Sequence, residues 1–452
     1  MAEETTPPPR ALKADFDVYL ALVVSALLAL GLMMVFSTTF DWSYQTEGSA
    51  LTIFLKQVRS LVIGLVVAVV AWRLDYRVLH RELIEKVPVL GAIRVADILM
   101  MGTVAALGAL LLLNSNEMFG AQRSLYQGSY QPGELAKLTL AIYVASWLVR
   151  KANAQEDVLQ ARATRARISS QAASQARPRR LRFDFRYSLV AFALLVGVIG
   201  GLIVLQPDLS GAAIIVLTAW TLLFLAGGSI LESLLLALGA AAVGWFLILQ
   251  FDYARERLLA HWNAASDLTQ ASWHVQQAII AFTAPGHNLA DPFAPNWFGR
   301  GLGQSSQKFG FLPAPHTDSI FAIIGEELGV VGCLVVVALF VLFAWRAFVI
   351  SGEAQDSFGA LLAAGIGCWI SYEALLNIAV LTAVIPFTGV PLPFISFGGS
   401  SLVTALAGVG LLMSISRQRR SEPRRQIADY RFGRGDGGWG VSHVSRSGRH
   451  EP

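Results

Sequence analysis

The sequence predicts an all-α polytopic membrane protein with about ten transmembrane helices, and three observations support this prediction. Of the 452 residues, 54% are hydrophobic and only 15% are charged, and the mean hydropathy is +0.54, which excludes an ordinary water-soluble globular protein. Most of the chain lies in apolar runs long enough to cross a hydrocarbon core of ~30 Å. Basic residues also gather in alternate connections between these runs, which is the charge pattern of a multispanning protein.

The apolar runs define the spans one by one. Their cores are Val18–Phe36, Leu61–Trp72, Ile98–Leu113, Leu135–Val149, Leu189–Leu205, Ala212–Ala226, Leu231–Leu249, Ile320–Trp345, Phe358–Val384 and Leu402–Ile415. The seventh and eighth cores are separated by the long segment 251–318, which predicts one large extracytoplasmic loop. The tryptophans, histidines and arginines of this loop favour two interpretations equally. They form either a substrate platform or an interfacial belt that anchors short amphipathic helices.

Basic residues set the orientation of these spans. Arginine and lysine cluster after the second, fourth and tenth spans, and ten spans place all three clusters on one side. The positive-inside rule makes that side cytosolic, so both termini are expected in the cytosol. Residues 1–16 then form a cytosolic tail, 151–186 a basic cytosolic loop and 417–452 a disordered basic tail, around a transmembrane domain over 17–416. The basic loop is typical of a segment at anionic lipid headgroups, and nucleic-acid binding is the weaker interpretation.

The stretch 312–329 holds the leading candidates for chemistry. His316 and Asp318 lie where the polar loop enters an apolar helix, and two further carboxylates follow two turns later. Ionisable side chains at or inside a bilayer are costly, which makes them functional candidates. Asp318 fits a catalytic base beside a polar cleft. The structural alternative is that Thr317 or Asp318 caps the start of the helix.

The two further carboxylates, Glu326 and Glu327, are neighbours and therefore point about 100° apart on a helix. At least one of them is expected to face the helix bundle and to need a partner, for which Lys137 is a candidate. Glu134 and Lys137 lie three residues apart at the start of the fourth span, where they can pair along one face. A purely structural role for that pair is as compatible with the sequence as a functional one.

Two helix starts supply the remaining candidates. Pro207 interrupts the chain between the fifth and sixth spans, and Asp208 is expected to cap the next helix rather than to catalyse. The Pro- and Gly-rich segment 385–401 joins the ninth and tenth spans. Irregular backbone at membrane depth indicates that this segment lines a cleft covered by protein. Its last two residues, Ser400 and Ser401, follow two glycines and can present N–H groups to an anion at a helix start.

Five segments together resemble the SEDS family, the shape, elongation, division and sporulation proteins that include FtsW and RodA. The segments are Gln131–Lys137, Gln206–Leu209, Gly301–Ser305, Leu312–Gly329 and Thr388–Ser401. They appear in the expected order over about residues 15–416, and the first residues after Gly301 are closer to FtsW than to RodA. Gly133 stands where the family usually has serine, and Arg123-Ser124 stands where an Arg-Trp pair is typical.

The resemblance implies a peptidoglycan glycosyltransferase that polymerises lipid II at the outer face of the cytoplasmic (inner) membrane during cell division. It implies that Asp318 is the general base for the acceptor sugar's 4-hydroxyl. Arg123, Lys308 and His316 are candidate donors to the leaving undecaprenyl diphosphate, and Mg²⁺ or Mn²⁺ is a candidate cofactor.

The same resemblance implies a set of partners. These are lipid II and undecaprenyl-diphosphate-linked glycan, a class B penicillin-binding protein that acts as transpeptidase, other cell-division proteins and membrane lipids, with no nucleic acid. A lipid II flippase or transporter and a non-catalytic scaffold of the division machinery remain alternative functions.

Overall fold

The computed structural model describes residues 17–87, 91–113, 131–168, 185–264, 272–283 and 296–418. Within them it contains twelve α-helices, a 3₁₀ helix at Tyr76–His80 and an antiparallel hairpin of strands β1 (Glu82–Val87) and β2 (Gly91–Arg94). The helices are α1 Val18–Glu47, α2 Thr52–Arg73, α3 Val95–Leu113, α4 Pro132–Ile168, α5 Phe185–Val204, α6 Leu209–Leu225, α7 Ile230–Gln250, α8 Asp252–Ala264, α9 Trp273–Thr283, α10 Ile320–Glu353, α11 Ser357–Leu381 and α12 Gly399–Arg417. The predicted N-terminal tail and nearly all of the predicted C-terminal tail lie outside the described residues.

The predicted all-α polytopic membrane fold is confirmed. Each of the ten apolar cores corresponds to its own helix, α1 to α7 and α10 to α12, although the ninth core was predicted to reach Val384 and α11 ends at Leu381. The short helices α8 and α9 lie in the predicted outer loop. Seven of the described helices are long and apolar enough to span a bilayer, namely α1, α2, α3, α7, α10, α11 and α12. Helices α5 and α6 have shorter apolar stretches. The apolar run of α4 follows two charged residues, Glu134 and Lys137, in its first turns.

Two connections are more regular than the sequence predicted. The basic connection between α2 and α3 contains the β hairpin, in which the Arg94 guanidinium lies 2.8 Å from the Glu82 carboxylate. Helix α4 continues through the first half of the predicted basic loop as far as Ile168, and residues 169–184 lie outside the described part of the chain. Alanine, glutamine and arginine are good helix formers, so this composition suits a helical extension as well as a solvated loop.

Local signals separate α6 from α7 within a few residues. Gly227 has φ 96°, a left-handed value that glycine adopts without strain. Ser229 then caps α7 by accepting the N–H of Glu232, whose carboxylate accepts the Ser229 N–H in return, at 3.3 Å each. This capping box explains why so short a connection ends one span and begins the next.

Two apolar clusters hold the bundle together. The larger centres on α1, α10, α11 and α12, and the smaller on α3, α4, α5 and α6. Helix α2 approaches α12 closely, since a Cβ atom at Gly410 would clash with the Ala68 carbonyl oxygen. Small residues permit such close backbone contacts between helices in a membrane. These clusters fix the positions of the helix starts that surround the candidate site.

Helix α10 is broken at Gly329, where the sequence predicted a continuous span. Gly329 has φ 71° and ψ −164°, outside the helical region. The segment 296–301 fills the break. The N–H groups of Arg300 and Gly301 donate to the carbonyl oxygens of Glu326 and Glu327, which precede the break, at 2.9 Å each. The N–H of Val330, which follows the break, donates to the Asn296 carbonyl oxygen at 3.0 Å. The backbone groups freed by the break are thereby satisfied, as burial in a membrane protein requires. The half of α10 that follows Asp318 is anchored to the long connection between α7 and α10.

Candidate functional site

A cavity of about 320 Å³ lies where the first turns of α4, α6 and α12 meet the start of α10 and the Pro- and Gly-rich connection before α12. Seven residues singled out from the sequence line it: Glu134, Lys137, Asp208, Thr317, Asp318, Ser400 and Ser401. The segment predicted to line a cleft does so at 389–391 and 397–401. Polar groups from four distant parts of the chain therefore converge on one pocket, which is the arrangement expected of a ligand site.

Asp318 lies at the wall of this cavity with its backbone and its side chain both held. The Thr317 hydroxyl donates to Asp318 Oδ1 at 3.1 Å. The side-chain amide of Asn377 donates to the Asp318 carbonyl oxygen at 2.8 Å and to that of Val390 at 2.6 Å. The N-cap of α10 is Ser319, so Asp318 is not the capping residue that the structural alternative proposed. A positioned carboxylate in a polar pocket is suited to accept a proton.

The connection before α12 is tied to the segment that bears Asp318. The Ser396 hydroxyl donates to the Thr317 carbonyl at 2.5 Å, and the Phe397 N–H donates to the His316 carbonyl at 2.7 Å. Gly389 has φ 72°, and a Cβ atom there would lie 3.2 Å from Asp318 Oδ2. Glycine at 389 therefore permits both the backbone conformation and the close approach to the carboxylate.

Two residues of the wall, Glu134 and Lys137, belong to a buried ion triad. The Lys137 ammonium lies 2.8 Å from Glu134 Oε1 and 2.6 Å from Glu373 Oε1, and Trp369 Nε1 donates to the other oxygen of Glu373 at 3.0 Å. The predicted pairing of Glu134 with Lys137 is confirmed. Glu373 was missed by sequence reasoning, although a single carboxylate inside the apolar run of α11 was the signal that could have found it.

The other two helix starts at the cavity differ from each other. Asp208 caps α6, because its Oδ1 accepts the Gly211 N–H at 2.9 Å and the Ser210 hydroxyl at 2.8 Å, as the sequence predicted. At α12, the Ser400 hydroxyl accepts the Gln131 N–H at 3.3 Å, and the N-cap is a glycine without a side-chain bond. Ser401 lies one residue further into α12 and also lines the cavity.

Glu326 and Glu327 lie outside the cavity, and the hypothesis that Lys137 pairs with one of them is wrong. Glu326 accepts hydrogen bonds from the loop 305–307 and lies 3.1 Å from the Arg300 guanidinium. Glu327 accepts the Ser37 hydroxyl at 2.8 Å and lies 3.3 Å from the Lys308 ammonium. Both pairs lie beside the break in α10, where Arg300 and Lys308 of a nearby loop are the cationic partners in place of Lys137. Lys308 therefore lies beside Glu327 at the break in α10 and not at the cavity wall.

His316 is enclosed by aromatic rings and does not line the cavity. Its ring stacks on Trp42, with ring centroids 4.6 Å apart, and meets Phe397 edge-on at 5.7 Å. Burial lowers the pKa of His316 to about 4, so its imidazole is neutral near pH 7. A cationic role for His316 at a leaving diphosphate does not fit this setting. Arg123, the remaining candidate donor, lies outside the described residues.

The burial of His316 predicts a stability that falls in mild acid. An unfolded histidine has a pKa of ~6.5, so the unfolded state binds the extra proton as the pH falls from that value towards the folded pKa of about 4. His316→Phe keeps a ring against Trp42 and removes this proton. We expect the thermal unfolding midpoint to fall less from about pH 7 to about pH 5 in His316→Phe than in the native protein, in the same detergent. Equal falls in the two proteins would contradict the prediction.

Two outer-loop residues approach the site from α8 and α9. Arg257 Nη1 donates to the Phe387 carbonyl at 3.4 Å, and the His274 ring centroid lies 4.1 Å from that of Phe387. Burial lowers the pKa of His274, while the Asp318 carboxylate opposes this effect and Arg257 adds to it. The loop thus contacts the connection beside Asp318 with specific side chains. The sequence offered no signal to choose these two residues among the loop's other charged and aromatic ones.

A resident metal held by the protein alone does not fit the described residues, since no group of three or more His, Cys, Asp and Glu side chains there is arranged for a metal ion. The carboxylates at the cavity wall are committed in part to other contacts, Asp208 to the α6 cap and Glu134 to Lys137. The donor set present here, carboxylate and hydroxyl oxygens, suits a hard divalent cation only if further ligands come from a substrate.

Comparisons with known proteins identify the family to which this chain is similar. A family model described as "Cell cycle protein", for FtsW, RodA and SpoVE, matches residues 18–421. A relative from Trichlorobacter lovleyi, named "Probable peptidoglycan glycosyltransferase FtsW", is 31% identical over 416 residues, or 91% of this chain and 95% of its own length. A relative of the same name from Thioalkalivibrio sulfidiphilus is 32% identical over 426 residues, 93% of this chain and 94% of its own.

Solved structures show the same fold. One chain, from work described as "Structural coordination of polymerization and crosslinking by a peptidoglycan synthase complex", aligns with a TM-score of 0.62 and 25% identity, over 90% of this chain and 99% of its own. Thermus thermophilus rod shape determining protein RodA aligns with a TM-score of 0.58 and 22% identity, over 90% of this chain and 98% of its own. From the family match, the relatives and the shared fold, this chain belongs to the FtsW/RodA/SpoVE (SEDS) family of membrane proteins.

Proposed function

We propose that this protein is a peptidoglycan glycosyltransferase that polymerises lipid II during cell division, with Asp318 as the general base. The observation that supports this most is the placement of the Asp318 carboxylate at the wall of a polar cavity inside an apolar helix bundle. Support also comes from relatives of nearly full length that are named as probable peptidoglycan glycosyltransferases. A lipid-linked sugar suits such a site, because its lipid can remain in the bilayer while its sugar enters a polar pocket.

The proposed step is a single displacement. The 4-hydroxyl oxygen of the acceptor sugar bonds to the anomeric carbon of the donor, and Asp318 accepts the hydroxyl proton. The bond between that carbon and the diphosphate oxygen breaks, and the electron pair leaves with the undecaprenyl diphosphate. Displacement from the opposite side inverts the anomeric carbon. The bonds from Thr317 and Asn377 hold the base in place before the step, which is how a protein lowers the entropic part of a barrier.

The departing diphosphate needs positive charge or hydrogen-bond donors. Lys137 is the cation among the described residues at the cavity wall, and two carboxylates already neutralise it. We therefore propose that a divalent cation such as Mg²⁺ or Mn²⁺, if bound at this cavity, would be held by carboxylate oxygens of the wall together with oxygens of the substrate. When bound there, such an ion would supply charge neutralisation at the phosphate oxygens.

We also propose where this protein lies in the cell and with which proteins it acts. The chain is an integral membrane protein, and we place both termini in the cytosol and the cavity towards the outer face of the cytoplasmic membrane, on the distribution of its basic residues. We also propose that it acts with a class B penicillin-binding protein and other cell-division proteins. The structurally similar chain comes from a complex that couples polymerisation to crosslinking, which supports a transpeptidase partner.

A lipid II transporter is the second candidate function, because the broken helix α10 is a feature that many transporters share. The two functions make different products. The native chain, co-purified with its transpeptidase and supplied with labelled lipid II in liposomes, is expected to make glycan polymer resolved on a gel. Movement of label across the bilayer with no polymer would instead support the transporter and reject the glycosyltransferase.

A further inference from the structure

The start of α12 differs from the start of α6 at the same cavity. Asp208 caps α6 with its own carboxylate, whereas the N-cap of α12 is Gly398, which has no side chain to accept a hydrogen bond. The first-turn N–H groups of a helix have no acceptor within the helix. Among the described residues, none accepts from the N–H groups of Gly399, Ser400 and Ser401. Three amide donors therefore lie uncapped at the cavity wall.

The Ser401 side chain adds a second, independent observation. Ser401 lines the cavity and is only 9% exposed, and its hydroxyl has no hydrogen-bond partner among the described residues. The neighbouring hydroxyl of Ser400, by contrast, accepts the Gln131 N–H. The Ser401 hydroxyl faces the cavity, so a ligand bound there can accept its hydrogen bond. A hydrogen-bond acceptor bound in the cavity is therefore a suitable partner for Ser401.

The charges of the wall indicate which kind of acceptor fits. Asp318, Asp208 and Glu134 lie on the other walls, while the α12 part of the lining, 397–401, contains no carboxylate. A helix N-terminus has a partial positive charge, and its free N–H groups are suited to phosphate oxygens. The cavity thus has an acidic part that suits sugar hydroxyls and an amide-rich part that suits an anion.

We propose that the first turn of α12, with the Ser401 hydroxyl, binds the diphosphate of an isoprenoid-linked substrate. This assignment rests on the proposed function and specifies where its leaving group lies. When the bond from the anomeric carbon to the diphosphate oxygen breaks, that oxygen takes the electron pair, and the α12 amides and Ser401 donate to the developing charge. The proton of the acceptor hydroxyl goes to Asp318. The proton and the leaving group therefore bind at different parts of the cavity wall, Asp318 and the first turn of α12.

Ser401→Asp separates this role from a structural one. An acidic residue in the first turn stabilises a helix, so a merely structural Ser401 predicts equal or higher thermal stability and unchanged ligand binding. An anion subsite predicts repulsion instead. Titration calorimetry of the full chain in detergent would use geranylgeranyl diphosphate, geranylgeraniol and inorganic diphosphate as probes. Ser357→Asp is the matched control, because it adds the same charge to the exposed first turn of α11, away from the cavity.

The native protein is expected to bind the prenyl diphosphate more tightly than either other probe. Ser401→Asp should weaken that binding at least about tenfold, Ser401→Ala should weaken it less, and both should bind the alcohol as the native protein does. Ser357→Asp should bind all three probes normally. Native binding of the prenyl diphosphate by folded Ser401→Asp, or tighter binding of inorganic than of prenyl diphosphate, would overturn the assignment.

Two further results separate the diphosphate subsite from the glycosyltransferase activity. Ser401-dependent diphosphate binding in a protein that makes no glycan from lipid II would reject the glycosyltransferase and retain the subsite. Glycan synthesis with a native KM for lipid II in Ser401→Asp would retain the enzyme and reject the subsite.

Discussion

Asp318→Asn is expected to lower kcat for glycan synthesis from lipid II by about 10²–10⁴-fold, the usual contribution of a positioned general base. Asparagine has nearly the shape of aspartate and can still accept the Thr317 hydroxyl, and the Asn377 bond reaches the backbone carbonyl, which the change leaves in place. It cannot accept a proton from the acceptor sugar. We therefore expect kcat to fall with little change in KM or in the unfolding midpoint. Initial rates at several lipid II concentrations and thermal unfolding of both proteins check this.

Asp208→Asn is the matched control, since it makes the same substitution in the same cavity. Asp208 caps α6 through the Gly211 N–H, and asparagine is nearly as good a cap as aspartate. The loss of rate should therefore be much smaller than for Asp318→Asn. A similar loss in the two variants would mean that the cavity needs its negative charge in general rather than a base at Asp318.

Lys137→Met is expected to destabilise the folded protein by about 3–5 kcal/mol, the usual result of breaking a buried ion pair from one side. The substitution leaves the buried carboxylates of Glu134 and Glu373 without their shared cation. Glu373→Gln should cost much less, because Lys137 keeps Glu134 and the glutamine oxygen can still accept from Trp369. Thermal unfolding of the three proteins in one detergent measures the difference.

The triple variant Lys137→Met, Glu134→Gln, Glu373→Gln tests the cause of that loss. It removes all three charges, so it should be more stable than Lys137→Met alone, although it has lost every ion pair of the triad. A triple variant less stable than Lys137→Met would show that packing around the Lys137 side chain, and not uncompensated charge, accounts for the loss.

Much of this architecture could be predicted from the sequence because its signals are local. Each apolar core became a helix, since a run of about twenty apolar residues has few other structures available in a bilayer. Asp208 was recognised as a cap because a proline and an acidic residue before an apolar run mark a helix start. The spacing of Glu134 and Lys137 likewise identified their pairing.

Contacts between distant segments account for what could not be predicted. From the sequence, several carboxylates were plausible partners for Lys137. The packing of α4 against α11 selects Glu373 over Glu326 and Glu327. The break in α10 likewise depends on the segment 296–301, which satisfies the exposed backbone groups only after the chain has folded back. Glycine within an apolar helix is common and does not by itself predict such a break.

The supporting role of Asn377 was missed for a related reason. A single asparagine inside an apolar helix indicates an internal hydrogen bond, but the sequence does not show which groups accept it. In the folded chain its amide joins the carbonyl oxygens of Asp318 and Val390, and so holds two walls of the cavity together. Arg257 and His274 required the same kind of tertiary information, because they reach Phe387 across the site from the outer loop.

The glycan product of the purified complex tests the role of Asp318 as the general base. The native chain and its Asp318→Asn variant, each with a transpeptidase partner whose own active site is inactivated, would receive the same lipid II. We expect a ladder of uncrosslinked glycan from the native complex and, at the same early time point, at least about 100-fold less glycan from the variant, with both complexes intact by size-exclusion chromatography. Equal ladders from the two complexes would contradict the assignment of Asp318 as the base.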